Sequence, residues 1–197
     1  MKYRVVGLGN PGKEYENTRH NVGEMALRQL HRAFEATEWE EDKKLKAETA
    51  EAKLGKHAIT LVFPLTLMNN SGKSVAPLVK SKKDLERLVV IHDDLDLPLR
   101  KIKISYGKNS GGHRGVESIM RAVKSKEFIR IRIGVSPETS GGKLKKPSGE
   151  KAVVDFILGK FKPTELEMLK KEFKSIAGAI EVFVEGGREK MVSTFQG

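Results

Sequence analysis

Apolar and polar positions switch between two periods along this chain, and the switches mark its elements. Tyr3 to Leu8 is a short apolar run ending in glycines, which predicts a buried first strand. Val22, Ala26, Leu30 and Ala33/Phe34 recur at helical spacing, so a helix follows from about Asn21. Leu45 to Leu54 and His57 to Phe63 flank Gly55-Lys56 and read as a hairpin. Ser71-Gly72 precedes a short helical stretch through about Lys80. Leu88 to Ile91 has the unbroken apolar character of a central strand, whereas Ile102 and Ile104 alternate with Lys101, Lys103 and Ser105 as in a half-exposed one. Val116, Ile119, Met120 and Val123 give a helix just after a glycine turn. Phe128 to Val135 is the clearest period-two segment. Ile129, Ile131, Ile133 and Val135 share one face, which puts Arg130 and Arg132 together on the other. Gly141 to Lys151 is a loop rich in Gly, Lys, Pro and Ser. Thr164 and Glu167 form a capping-box pattern, opening a helix whose stripe runs from Leu166 through Phe173 and Ile180 to Val184 and stops at Gly186-Gly187. Alternating strands and helices, with no repeat and no linker, predict one α/β domain over residues 1–197 with a mixed sheet.

Composition narrows the chemistry. The absence of cysteine excludes a disulfide scaffold, a Cys nucleophile and a thiolate zinc site. The N-terminus lacks the apolar core of a signal peptide, and Ala58 to Met68 is about half the length needed to span a bilayer. A cytoplasmic protein without membrane contact is expected. The formal charge is +11, and it is uneven: residues 101–151 carry 13 Lys and Arg against four acids. Such a local basic field draws polyanions, nucleic acid foremost, although a solubilising lysine surface has the same composition. Aromatic residues are 6% and do not interleave with the basic ones, so no single-strand stacking platform is indicated.

Five constellations carry candidate chemistry. Gly7-Leu8-Gly9-Asn10-Pro11-Gly12 matches a dinucleotide fingerprint in form. Pro11 removes a backbone donor from that turn, and no acid-ended strand arrives about 20 residues on, where a ribose partner belongs. The segment reads instead as a tight turn, or as a turn presenting Asn10 at a strand's carboxyl end. His20 lies in the polar run Tyr15-x-x-Thr18-Arg19-His20-Asn21-Val22-Gly23 and needs a partner to be more than a surface or capping residue. His92-Asp93-Asp94-Leu95-Asp96 follows the apolar strand. Its acids suit a turn, a Mg²⁺ site or an Asp–His pair, and the pair ranks above the metal. Pro64 to Gly72 places Met68 and Asn69 after another strand, for helix capping or for reading a peptide-like group. Gly111-Gly112-His113-Arg114-Gly115 is a glycine turn at a helix start, suited to an anion. No G-x-S-x-G elbow is present, so a water-activating histidine with amide donors fits better than an acyl-enzyme.

Taken in order, these segments resemble the bacterial-type peptidyl-tRNA hydrolase family, together with Leu95-Asp96-Leu97-Pro98 and Arg130-x-Arg132-Ile133-Gly134. The resemblance covers nearly the whole chain. It implies a three-layer α/β domain with a mostly parallel, mixed twisted sheet flanked by helices, monomeric, without metal or other cofactor. The implied reaction cleaves the ester between a peptide and the terminal ribose of tRNA, recycling tRNA from aborted translation. By the resemblance, His20 is the general base and Asp93 orients it. Asn10 and Asn69 hold the peptide and the 3'-terminal adenosine region. Tyr15, Met68 and His113 line the cleft, Lys103 and Arg132 contact phosphates of the acceptor end, and Gly141–Lys151 is a mobile loop beside it. Two positions depart from the family. Arg114 stands where Asn is common, and is expected to donate to the substrate instead. Ser105 stands where a basic residue is common. Two rival functions remain: a non-catalytic, splicing-factor-like RNA-binding member of the superfamily, and a nucleotide-binding oxidoreductase, which Pro11 disfavours.

Overall fold

The computed structural model describes residues 1–195. In chain order the elements are β1 (Lys2–Gly7), α1 (Val22–Ala33), β2 (Glu40–Asp42), β3 (Ala47–Leu54), β4 (His57–Pro64), α2 (Gly72–Val75), α3 (Lys82–Leu85), β5 (Leu88–Pro98), β6 (Ile102–Tyr106), α4 (Arg114–Val123), β7 (Ile129–Ser136), α5 (Glu150–Leu158) and α6 (Pro163–Phe195). The strands form one seven-stranded sheet in the order β2-β3-β4-β1-β5-β7-β6. β4, β1, β5 and β7 pair in parallel, while β2–β3, β3–β4 and β6–β7 pair antiparallel. Strands buried on both faces read as continuous apolar runs, which is why β1 and β5 show no alternation.

The pleat divides the core in two. Val5, Leu61, Val89, Ile91 and Ile131 face α1 and α6, which contribute Leu27, Leu30, Phe173 and Ile180. Val6, Leu8, Val62 and Val90 face α4 and α2, which contribute Val116, Ile119 and Val75. Three layers result, with the sheet in the middle. Among the described residues, no helix is long and apolar enough to cross a membrane.

One glycine decides how closely α1 sits on the strand ends. A Cβ at Gly23 would lie 2.3 Å from the Ile91 carbonyl oxygen and 2.7 Å from the backbone nitrogen and oxygen of Leu8. These are backbone atoms of two central strands and cannot swing aside. Gly23→Ala is expected to cost about 1–3 kcal/mol by overpacking. For a chain of this size that is a fall in Tm of roughly 2–12 °C. A thermal melt within a degree of wild type would refute the close approach.

The structure corrects several expectations. The helix predicted to run through Lys80 breaks after α2 into a 3-10 turn at Ala76–Leu78, because Pro77 has no N–H for the next helical bond. The capping box is displaced: α6 opens at Pro163, and Glu165 rather than Glu167 reaches back, accepting from the Lys162 N–H at 2.6 Å. Glu167 pairs with Lys170 instead. The glycine stop is real, since Gly187 adopts φ 80° and ψ 178°, but a second helical run follows it to Phe195. Its first residue, Arg188, lies 3.9 Å over the Tyr106 ring. α5, which begins at Glu150 inside the predicted loop, and the short charged strand β2 were not foreseen.

Candidate active site

The parallel register of β1 and β5 pairs Gly7 with Ile91, so the residues that follow each strand emerge at one edge of the sheet. After β1 the chain turns through a 3-10 segment, Arg19–Asn21, that carries His20. After Ile91, β5 continues through His92 and Asp93. His20 Nδ1 lies 2.9 Å from Asp93 Oδ1, and both side chains are buried.

A second imidazole meets the same oxygen. His113 is the N-cap residue of α4, and its Nδ1 accepts the backbone N–H groups of Gly115 at 3.1 Å and Val116 at 3.2 Å. A nitrogen that accepts two amides holds a lone pair, so the proton of His113 resides on Nε2. That N–H donates to Asp93 Oδ1 at 2.9 Å. The helix start anticipated as an anion site is thus capped from within.

Burial alone would raise the Asp93 carboxyl. The charges and hydrogen bonds of His20 and His113 outweigh it and hold Asp93 well below the usual carboxylate range. The carboxylate therefore takes the Nδ1 proton of His20 as its donor. His20 Nε2, which bonds no described group, keeps its lone pair open to the cavity.

The donor atoms of His20, Asp93 and His113 lie within 4.8 Å of one another, a spacing that a metal could use. The tautomer decides against it. His113 Nε2 carries its proton toward Asp93, and deprotonating it would require a proton on Nδ1, against two backbone donors.

The amides are equally directed. Asn21 clamps Asn10 by its backbone: Asn21 Oδ1 accepts the Asn10 N–H at 2.9 Å, and Asn21 Nδ2 donates to the Asn10 carbonyl at 2.8 Å. Asn10 Oδ1 accepts the Met68 N–H at 2.8 Å. Its NH₂ group is what remains for a ligand. Asn69 Oδ1 likewise accepts from Asn70 Nδ2 at 3.2 Å, leaving a second NH₂. Asn10, His20, Met68, Asn69, Asp93 and His113 line one cavity of about 660 Å³.

His92 stands behind this group. Its Nδ1 donates to the Asp93 carbonyl at 2.7 Å, and its ring meets His113 edge-on at 4.7 Å. Burial, then the neighbouring His113, push the His92 imidazole well below its ordinary pKa of 6.5. The folded state keeps this ring neutral while the unfolded chain protonates it. The stability it contributes is complete above about pH 6.5 and is lost as pH falls below that value. His92→Gln can still donate to the Asp93 carbonyl and never charges. Its Tm is expected to fall less than wild type between pH 7 and pH 5. Equal falls would show that His92 does not titrate on unfolding.

The same order of motifs and the same fold occur in known proteins. A family profile described as "Peptidyl-tRNA hydrolase" matches residues 4–197. A protein of that name from Aquifex aeolicus is 39% identical over 190 residues, covering 94% of this chain and 93% of its own. One from Staphylococcus saprophyticus is 37% identical over 196 residues, covering 98% and 97%. The crystal structure of peptidyl-tRNA hydrolase from Acinetobacter baumannii superposes with a TM-score of 0.85 at 29% identity, covering 98% of this chain and 93% of that one. This chain belongs to the peptidyl-tRNA hydrolase family.

Within this hydrolase-family fold, not every expected residue reaches the cavity. Tyr15 does not line it. Tyr15 ends the 3-10 turn Lys13–Tyr15, and its carbonyl accepts the Thr18 hydroxyl at 2.8 Å, which turns the chain toward His20. Arg114 is at the cavity, where it pairs with Glu150 of α5 across the cleft in a solvent-exposed ion pair that a substrate group could replace. Lys103 and Arg132 are direct neighbours in the β6–β7 register. Arg132 binds Asp94 and donates to Ser105 Oγ at 3.3 Å, whereas Lys103 is exposed. Arg130, expected beside Arg132, is buried and donates to the Lys108 and Asn109 carbonyls. Sequence reasoning missed Asn21 and His92 as supporting residues, although both lie inside the motifs it quoted.

Proposed function

We propose that this enzyme hydrolyses the ester linking the peptide to the 3'-terminal ribose of peptidyl-tRNA, using a water activated by His20 and no covalent intermediate. The observation that carries this reading is the orientation of His20: Nδ1–H is bound by Asp93, and Nε2 is open beside two amide donors. Among the described residues, no serine or threonine is hydrogen-bonded to His20, which favours water as the nucleophile. The NH₂ groups of Asn10 and Asn69 suit the carbonyl oxygen as it gains charge, a contact of the kind worth 10²–10³-fold elsewhere (about 2.7–4 kcal/mol). The site is complete within one chain, consistent with a monomer working on the acceptor end and terminal adenosine. Its products, free tRNA and peptide, suit the recycling of tRNA from aborted translation. The non-catalytic RNA-binding alternative is not favoured: the hydrogen bond between His20 and Asp93 and the amides beside it support an enzyme.

The test is hydrolysis of one tRNA carrying either an N-acetylated or a free amino acid. Selective cleavage of the acetylated form is expected; equal cleavage, or none, would overturn the assignment. The basic segment should act through phosphates, so KM should rise steeply with salt. Charge reversal at exposed Lys103 is expected to raise KM several-fold at low salt. Reversal at Lys170, which pairs with Glu167 on α6, should change it little. Equal effects would remove the β6–β7 edge from the tRNA contact.

A further inference from the structure

α5 is unusual among the helices of this fold. Its sequence from Ala152 to Leu158 is apolar except for Asp155, yet none of its residues is fully buried. Phe156 alone turns inward, packing on the core beneath the Arg19 guanidinium. Val153, Val154, Ile157 and Leu158 instead line the catalytic cavity, together with Leu67 and Leu95. Leu67 is 54% exposed and Leu158 39%, so both present hydrocarbon to solvent beside the catalytic residues.

The helix is held at its carboxyl end by Arg19, and at its start an exposed ion pair reaches across the cleft. The Gly159 carbonyl accepts from the Arg19 backbone N–H at 3.0 Å, the Lys160 carbonyl accepts from its guanidinium at 2.9 Å, and Glu150 pairs with Arg114. The charged groups around the cavity pair with one another, Arg132 with Asp94 largely buried, and Lys146 with Asp96 and Arg114 with Glu150 at the exposed rim. What remains on this side is an apolar wall, continuous with the space into which His20 Nε2 opens.

We propose that this wall is a side-chain pocket for the amino acid esterified to the tRNA, selecting apolar residues such as leucine and phenylalanine. The inference rests on the cavity being the peptidyl-tRNA site. Two parts of the substrate carry apolar surface next to the ester: the terminal adenine and the amino-acid side chain. Adenine carries a donor or an acceptor on each edge (N1, N3, N7 and the 6-amino group), so it could meet this wall only face-on, and Val153, Val154, Ile157, Leu158 and Leu67 offer neither an aromatic ring to stack on nor a polar group for those edges. A hydrocarbon side chain has none to satisfy, and its burial against this wall is favourable. Hydrophobic pockets of this kind discriminate by tens-fold, not by orders of magnitude beyond that. The enzyme would therefore accept all blocked substrates while preferring some.

One tRNA charged separately with N-acetyl-glycine, N-acetyl-aspartate, N-acetyl-leucine and N-acetyl-phenylalanine supplies the test. The expected kcat/KM for the leucyl and phenylalanyl forms exceeds that of the glycyl form by about tenfold or more. Ile157→Ser and Leu67→Ser should each bring the leucine-to-glycine ratio down toward one. Two variants on separate segments guard against one failing to fold, and Tm is measured for each. Equal rates on all four substrates in wild type would overturn the pocket. So would a ratio unchanged in both folded variants, or losses shared equally by the glycyl substrate, which would assign the wall to the common adenosine. If no blocked substrate is cleaved at all, the hydrolase reading itself fails, an outcome distinct from equal cleavage.

Discussion

Replacing His20 by alanine is expected to lower kcat by about 10²–10⁴-fold while leaving the affinity for peptidyl-tRNA within about twofold. The argument rests on which atom each neighbour uses. Asp93 accepts a hydrogen bond from His20 Nδ1–H, so Nε2 is the basic nitrogen, and it is the one facing the cavity. The proposed binding groups, Asn10 and Asn69, are held by Asn21, Met68 and Asn70 rather than by His20, so their placement survives its loss. Alanine also strips the buried Asp93 carboxylate of one of its two imidazole partners and should reduce stability. His20→Asn separates the two effects. Its side-chain NH₂ can stand in for Nδ1–H toward Asp93 but offers no base. It should be as slow as alanine and more stable. Filter binding and single-turnover hydrolysis read the two quantities separately. Turnover by either variant within tenfold of wild type would remove His20 from the chemistry.

Much of this site was legible in the sequence because its residues follow strands whose patterns are strong. Leu88–Ile91 and Tyr3–Leu8 read as buried strands, and a parallel pair of such strands brings their carboxyl ends together. Such a pairing is what an Asp–His pair between the two segments needs. The tautomers were not legible. They depend on the amides of Gly115 and Val116, which are backbone groups that any sequence supplies. Arg132 looked like a free cation, since period two places it beside Arg130 on a polar face. Only the register of β5 against β7, which sets Asp94 next to Gly134 two residues along from His92 and Arg132, reveals its partner. α5 escaped notice because its apolar residues face a cavity. Helical periodicity normally reports the contrast between core and solvent, and here only Phe156 has core behind it, while Val153, Val154, Ile157 and Leu158 border the cavity. The helix break at Pro77 was written in the sequence and passed over.

Asp93→Asn is expected to cost nearly as much turnover as the loss of His20, on the order of 10²–10⁴-fold. Two N–H groups converge on Asp93 Oδ1, from His20 Nδ1 and His113 Nε2, each at 2.9 Å. An asparagine oxygen can accept both bonds, so the geometry can persist. The negative charge cannot. In the proposed reaction His20 takes a proton from water and its ring becomes cationic, and in this buried setting the carboxylate is the charge that compensates it. The wild-type carboxyl is held well below its usual range by its surroundings, so mild acid does not neutralise it and the substitution does what pH cannot. His113 donates to the same oxygen through Nε2 and accepts backbone N–H groups through Nδ1, which leaves it no free lone pair to act as a base. His113→Leu should lower kcat more than it raises KM, and His113→Gln, which keeps an N–H for Asp93, should recover much of the loss. In an Asp93→Asn background, His113→Leu should cost little more, because the group it positions has already lost its charge. Additive losses across that cycle would mean that His113 acts on substrate directly, and the shared oxygen would then be a feature of packing rather than of catalysis.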